Sequence, residues 1–254
     1  MVRRLPLALT TLLVALPALA QPPRQPLRIA AAANLKTAAE ALEQAFEAER
    51  PGVDVVLSLG ASGVFYAQIR EGAPFDLFLS ADREYPAKLV EAGLASDEQV
   101  YALGKLVAWL PPGSTVPLEA RGLSALANPA VKRIAIANPA VAPFGRATEA
   151  AFKAAGVHEA VKGKLVLGTS VAQAAQFATT GAADVAFLPY ALTLGPELAG
   201  GRTVPVPEAL YPRIEQSGVV VGGAAAPAAA RAFLAFLTGE RGRSILARLG
   251  YGLP

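Results

Sequence analysis

Residues 27–63 read LRIAAAANLKTAAEALEQAFEAERPGVDVVLSLGASG. Leu27–Ala32 is a continuous apolar run of strand length. After Ala33-Asn34, apolar residues at Leu35, Ala38, Leu42, Ala45 and Phe46 recur with helical spacing and put one stripe toward a core. Pro51-Gly52 ends that helix. Val53–Leu59 is a second strand, rich in β-branched residues, and Gly60-Ala61-Ser62-Gly63 follows as a small-residue loop. Strand, loop, amphipathic helix and strand make one β–α–β unit, which predicts parallel strands covered on both faces by helices.

The same unit recurs outward from this stretch. Val64–Glu71 reads as a short helix closed by Gly72, and Phe75–Leu79 as a third strand. Asp82 caps a helix over Arg83–Ala92, stopped by Gly93. Leu103–Leu110 reads as one strand ending at Pro111-Pro112-Gly113, and Arg133–Ala137 as another. The loop Asn138–Gly145 leads into a helix from Arg146 to Ala155. Leu165–Leu167 is a strand, Gly168-Thr169-Ser170 a loop, Val171–Thr180 a helix and Asp184–Leu188 a strand. Ser217–Val221 is a late strand, and Pro227–Leu249 is mostly helical.

Composition bounds the class. The chain has 254 residues, 53% of them hydrophobic, enough for a large core in one or two domains. Arg3 and Arg4 precede an apolar run from Leu5 to Leu16, with small residues at Ala18 and Ala20. That is the pattern of a secretory signal peptide over residues 1–20, cleaved after Ala20. There are 23 basic and 20 acidic residues; removing Arg3 and Arg4 leaves 21 against 20, a mature charge of +1. No cluster of Lys and Arg marks a nucleic-acid surface. The absence of cysteine excludes disulfides, thiol catalysis and cysteine-ligated metals.

The chemistry lies in four loops where a strand gives way to a helix, at Asn34, Ser62, Phe144-Gly145 and Ser170-Val171. The first N–H groups of a helix have no partner inside it and carry partial positive charge, so each end favours an anion. The loops are built mostly from Ala, Gly, Ser, Asn and Pro, whose small side chains let backbone N–H groups come close to a ligand. Asn34 and Ser62 add an amide and a hydroxyl donor. Lys36 and Arg146 are the nearby cations, both inside helices, where solvent exposure is the simpler expectation. The loops contain no Asp, Glu or His. An all-donor pocket accepts a fully deprotonated oxyanion and disfavours one that must itself donate.

The segments Ala31-Ala32-Ala33-Asn34-Leu35, Leu59-Gly60-Ala61-Ser62-Gly63, GAPFDLFLSAD over Gly72–Asp82, and Asn138-Pro139 through Phe144-Gly145 resemble, in order, those of the periplasmic molybdate-binding proteins of ABC importers. The resemblance implies a two-lobed α/β architecture of the type II periplasmic-binding-protein class, each lobe a mainly parallel sheet. It places lobe one at 27–102 plus 208–254 and lobe two at 103–207, with hinge crossovers near Tyr101–Lys105 and Pro205–Glu208. It implies a molybdate or tungstate ion bound between the lobes by Asn34, Ser62, Phe144 and Val171, the last two through backbone N–H groups. Tyr190 stands next to the column where some relatives place a tyrosine hydroxyl, here Pro189, and is carried as a fifth contact. Ala33, where some relatives have Thr, removes one hydroxyl, and Phe144 offers its N–H without a phenol. The oxyanion is cargo, no cofactor is required, and the partner is an ABC transporter permease engaged by a periplasmic monomer.

Other classes fare worse on the residues. Gly60-Ala61-Ser62-Gly63-Val64 fails the G-x-S-x-G pattern at Val64. The single histidine, His158, sits in a polar connection and reads as exposed, and there is neither a G-x-G-x-x-G nor a P-loop. Asp76 and Asp82 look like a carboxylate pair, but a turn and a helix cap account for them. Trp109 reads as a packing residue. Sulfate, also an acceptor-only ligand, is the open alternative. An enzyme acting on a small anion and an interaction-only protein are the remaining ones.

Overall fold

The structure is a computed structural model that describes residues 23–254; the signal peptide expected over 1–20 lies outside the described residues. The chain builds β1 (Gln25–Ala32), α1 (Lys36–Glu49), β2 (Val53–Gly60), α2 (Ser62–Arg70), β3 (Leu77–Leu79), α3 (Glu84–Glu91) and β4 (Ala95–Gly104). Next come β5 (Leu106–Leu110), β6 (Ile134–Ala137), α4 (Pro143–Ala154), β7 (Leu165–Gly168), α5 (Val171–Thr179), β8 (Val185–Pro189) and β9 (Arg202–Pro205). It ends with β10 (Ile214–Val221), α6 (Pro227–Thr238) and α7 (Glu240–Arg248). Short helical turns fill several of the connections.

The strands form two five-stranded sheets, in the orders β2-β1-β3-β10-β4 and β7-β6-β8-β5-β9. In the first, β2, β1 and β3 are parallel, while β10 runs antiparallel to both β3 and β4. In the second, β7, β6 and β8 are parallel, and β5 runs antiparallel to β8 and β9. One strand in each sheet is therefore reversed, and each is the strand by which the chain enters from the other sheet. The first crossing is at Lys105, between β4 and β5; the return spans residues 206–213, between β9 and β10. This is a two-lobed α/β fold with mainly parallel sheets.

Each lobe has its own core. The first buries Leu27, Ile29 and Leu77 of its strands under Leu42 and Phe46 of α1 and Phe233 and Leu237 of α6. Phe65 and Ile69 of α2, with Leu89 of α3, cover its other face. Around Phe46, Phe233 and Phe236 the rings meet edge to face or tilted, with centroids 4.8–5.9 Å apart. The second lobe buries Trp109, Ile134, Ile136, Phe152 and Phe187, and its core runs on into Ala32, Ala33 and Ala81 of the first lobe.

Several expectations are corrected. Leu103–Leu110 is not one strand: its apolar run hides a change of sheet, with Gly104 ending β4 and Leu106 beginning β5. β4 and β9 were not anticipated. Both are edge strands, and ASDEQVYALG lacks the β-branched run that betrays a buried strand. Asp97 takes a positive φ of 58° in β4, whose pairing with β10 is interrupted by register shifts. The helix over 227–249 is broken at Gly239, an extended residue (ψ 171°) that ends α6 and precedes α7.

Candidate functional site

The carboxyl ends of β1, β2, β6 and β7 each feed a helix, and the four helical starts converge on one enclosed cavity between the lobes. It is small and is lined by Asn34, Ser62, Phe144, Ser170 and Val171, with Ala32, Ala33, Gly60, Ala61, Ala81, Ala142 and Pro143. Asn34 sits in a single helical turn, Ala33–Leu35, that leads into α1. Ser62 is the first residue of α2. Phe144 follows Pro143 at the start of α4, a place where proline's missing N–H is harmless. Val171 opens α5, capped by Ser170, whose hydroxyl accepts from the Gln173 N–H at 3.4 Å. Four of the five residues read from the sequence are thus brought together.

The fifth is not. Tyr190 is absent from the cavity wall. Its N–H donates to the Lys105 carbonyl at the first crossing (2.8 Å), and its ring packs near Gly250 in the C-terminal segment. Pro189 precedes it in extended conformation and caps a short turn, which carries the ring away toward the crossing. Phe144 is buried against both crossings: a side-chain carbon added at Gly104 would lie 2.7 Å from its Cζ and 2.9 Å from Cγ2 of Ile214.

No Asp, Glu, Lys, Arg or His lines the cavity. Asn34 and Ser62 are each 1% exposed. The Ser62 Oγ accepts the Ala81 N–H at 3.0 Å, which leaves its own proton for the cavity. Replacing Ser62 by Ala therefore removes a donor from the cavity and strands the buried Ala81 N–H. If the ligand is an anion, affinity measured by titration calorimetry should fall by about 1.5–3 kcal/mol. The ligand-free melting temperature should fall as well; an unchanged affinity removes Ser62 from the site.

Both expected cations are engaged elsewhere. Lys36 of the first lobe meets Glu197 of the second at 2.8 Å on the exposed rim. Arg146 is not a solvated helix residue: it reaches back across the cleft to Asp82, to Glu84 at 3.4 Å and to Tyr85 Oη at 3.0 Å. Tyr85 Oη in turn donates to the Ala140 carbonyl at 3.4 Å, and the Gly63 N–H donates to the Val141 carbonyl at 2.8 Å. On the opposite flank the Thr37 hydroxyl donates to the Ala191 carbonyl at 3.1 Å. The lobes are closed on each other around the cavity. Asp82 accepts from the Tyr85 N–H at 3.3 Å, as a cap does, and from the Ser80 hydroxyl at 2.8 Å. Burial lifts its carboxyl above the ordinary range, against the pull of Ser80 and Arg146. Arg146→Met should leave this carboxylate without its cation only in the closed form. The expected loss of ligand affinity is about 1–3 kcal/mol, between an exposed and a buried pair, with the ligand-free melting temperature nearly unchanged.

The other singled-out residues are structural. Asp76, 1% exposed, accepts from the Arg28 and Ala226 N–H groups at 2.8 and 2.9 Å and ties β1 to the start of α6. His158 is half-buried rather than open, between Glu149 (3.6 Å) and Glu159 (3.2 Å). Trp109 is buried, its indole N–H on the Leu198 carbonyl at 2.9 Å.

Sequence reading missed a layer behind Asn34. Its carbonyl accepts from Tyr251 Oη at 2.6 Å, and its side-chain nitrogen donates to Gln216 Oε1 at 2.7 Å. Tyr101 Oη lies 3.0 Å from the Ser80 carbonyl and 3.3 Å from Gln216 Oε1. Burial pushes the Tyr101 and Tyr251 phenols upward, so both remain protonated donors. No local signal marks these residues, because they reach Asn34 only through the pairing of distant strands and the C-terminal segment.

Known proteins are similar to this chain over most of its length. The family model described as bacterial extracellular solute-binding protein matches residues 27–252. The molybdate-binding protein ModA of Rhodobacter capsulatus is 40% identical over 224 residues, 87% of this chain and 86% of its own. Its counterpart from Azotobacter vinelandii is 37% identical over 230 residues, 89% of each chain. The solved periplasmic molybdate-binding protein of Azotobacter vinelandii superposes with a TM-score of 0.82 at 33% identity, covering 90% of this chain and 99% of that one. The chain belongs to the bacterial extracellular solute-binding family, alongside the molybdate-binding proteins.

Proposed function

We propose that this protein captures molybdate, or tungstate, between its lobes and presents it to the membrane permease of an ABC importer. The observation that carries the reading is the cavity wall: helix N-termini from both lobes, one amide, two serine hydroxyls, and no ionisable side chain. A tetrahedral dianion without protons needs donors on every side, and these supply them. One exposed helix end contributes only about 0.3–1 kcal/mol; several aimed at one enclosed point are screened less and contribute more. Relatives named as molybdate-binding proteins, at 37–40% identity over most of both chains, support the choice of ligand.

The lobes we assign are the two sheets with their helices, close to the division at 102/103 and 207/208 read from the sequence. Closure turns about Lys105 and residues 206–213 as donors from both sides meet the ion. The closed face is what the permease reads. The protein binds and releases; like its relatives it is not an enzyme, and it needs no cofactor. We place it in the periplasm as a monomer, after cleavage behind Ala20.

Titration calorimetry on the mature chain with molybdate, tungstate, sulfate and hydrogen phosphate tests the reading. Saturable binding of molybdate and tungstate with hydrogen phosphate excluded is the expected result. Preference for sulfate moves the ligand to the other acceptor-only oxyanion, and no binding of any of the four ends the proposal.

A further inference from the structure

Among the described residues, two buried side-chain atoms lack any hydrogen-bond partner, and they belong to one pair: Oδ1 of Asn34 and Nε2 of Gln216. The two residues are 1% and 0% exposed. Their amides meet through Asn34 Nδ2 and Gln216 Oε1 at 2.7 Å. Asn34 lines the cavity and Gln216 does not. With Nδ2 committed to Gln216, the end of the Asn34 amide left over is the oxygen, an acceptor, and an acceptor repels an oxyanion.

A side-chain amide has nearly the same shape after a half-turn that exchanges its oxygen and nitrogen. Turning both amides keeps the contact and reverses it. Gln216 Nε2 then donates to Asn34 Oδ1, and it also faces Tyr101 Oη, in place of the oxygen now 3.3 Å away. Tyr101 has one proton and two acceptors within reach, the Ser80 carbonyl at 3.0 Å and Gln216 Oε1. Once Gln216 offers nitrogen, that proton goes to Ser80 without competition. The Asn34 N–H donor is released to the cavity. An anion favours this second arrangement because it interacts only with the donor end.

We propose that Gln216 is a positioning residue that sets the sign of the dipole Asn34 shows to the ligand. By holding Asn34 Oδ1 from behind, it makes the site donor-only and so selects a fully deprotonated tetrahedral oxyanion. The inference rests on the oxyanion reading above. Gln216 sits early in β10, the strand that returns from the second lobe, at a register shift between Gln216 and Ser217.

A double-mutant cycle tests it, with molybdate affinity and ligand-free melting temperature measured for the native chain, Gln216→Met, Asn34→Ala and the pair. Gln216→Met should weaken molybdate about tenfold in the native background and less than about twofold when Asn34 is already Ala, since coupled residues do not act additively. Equal losses in both backgrounds, or no loss in the first, overturn the proposal. Should Gln216→Met fail to fold, Gln216→Glu keeps the shape and, once ionised, can only accept, so its affinity is read at alkaline pH; its loss should likewise shrink in the Asn34→Ala background, and a full loss there overturns the idea. Charge repulsion or a general packing defect would act alike in both backgrounds. A native chain that binds no oxyanion ends both readings, whereas native binding without coupling ends this one alone.

Discussion

Asn34→Asp should abolish oxyanion capture near neutral pH while leaving the fold intact. The change replaces an amide by a carboxylate of the same shape at a site 1% exposed, facing a ligand of like charge. Two unit charges about 4 Å apart interact by about 4 kcal/mol at an effective dielectric constant of 20, and a dianion doubles the repulsion. Even the single-charge figure lowers affinity by about a thousandfold. The new carboxyl escapes part of this by holding its proton, since burial and a nearby anion both raise its pKa. Affinity for molybdate should therefore recover as pH falls, because ligand binding favours the protonated form, whereas the native protein changes little over the same range. Calorimetric titration across pH reads both effects. Affinity within a few-fold of native would mean that Asn34 does not face the ligand.

Gly63→Ala is the sharper test of closure, because it should move stability and binding in opposite directions. Gly63 lies in the first turn of α2, and its N–H donates to the Val141 carbonyl of the other lobe at 2.8 Å. A Cβ there would stand 2.6 Å from Tyr85 Oη and 2.9 Å from both Cα and O of Val141. The tyrosine hydroxyl is the end of a side chain and yields; Val141 is backbone and does not. Within its own lobe the substitution favours the helix by roughly 0.5–1 kcal/mol, since alanine loses less freedom than glycine. Closed, it overpacks the seam at a cost of about 1–3 kcal/mol, or roughly 5–150-fold in affinity. A ligand-free melting temperature equal to or above native with clearly weaker molybdate binding is the expected pair of results. Unchanged affinity would show that the bound state does not bring α2 against Val141.

Much of this architecture is written locally. Leu35, just ahead of α1, and Ala38, Leu42, Ala45 and Phe46 along it form one buried stripe; all five face the core of the first lobe as their spacing demands. The strands read from continuous apolar runs, β1, β6 and β8, stand close to where they were expected because a strand covered on both faces must be largely apolar, while β2, at an edge, is legible from its valines. β4 and β9 escaped detection for the converse reason: edge strands need not be apolar, and Ala95–Gly104 is polar through its first half. Asn34, Ser62, Phe144 and Val171 were readable because helix starts after small-residue loops carry a chemical signature in a few consecutive residues. Tyr190 was drawn toward the site by its place in the sequence, but Pro189 and the Lys105 carbonyl hold it at the crossing.

The amino-acid order alone determined the alternation of strands and helices, the all-donor character of the four loops and the absence of cysteine chemistry, since each depends on residues within a turn or two of one another. The tertiary structure decided what those loops share. Convergence on one cavity, the passage of Arg146 across the cleft to Asp82, and the layer of Gln216, Tyr101 and Tyr251 behind Asn34 join residues up to 217 positions apart. Contacts of that kind arise from sheet order and lobe closure, which no local spacing encodes.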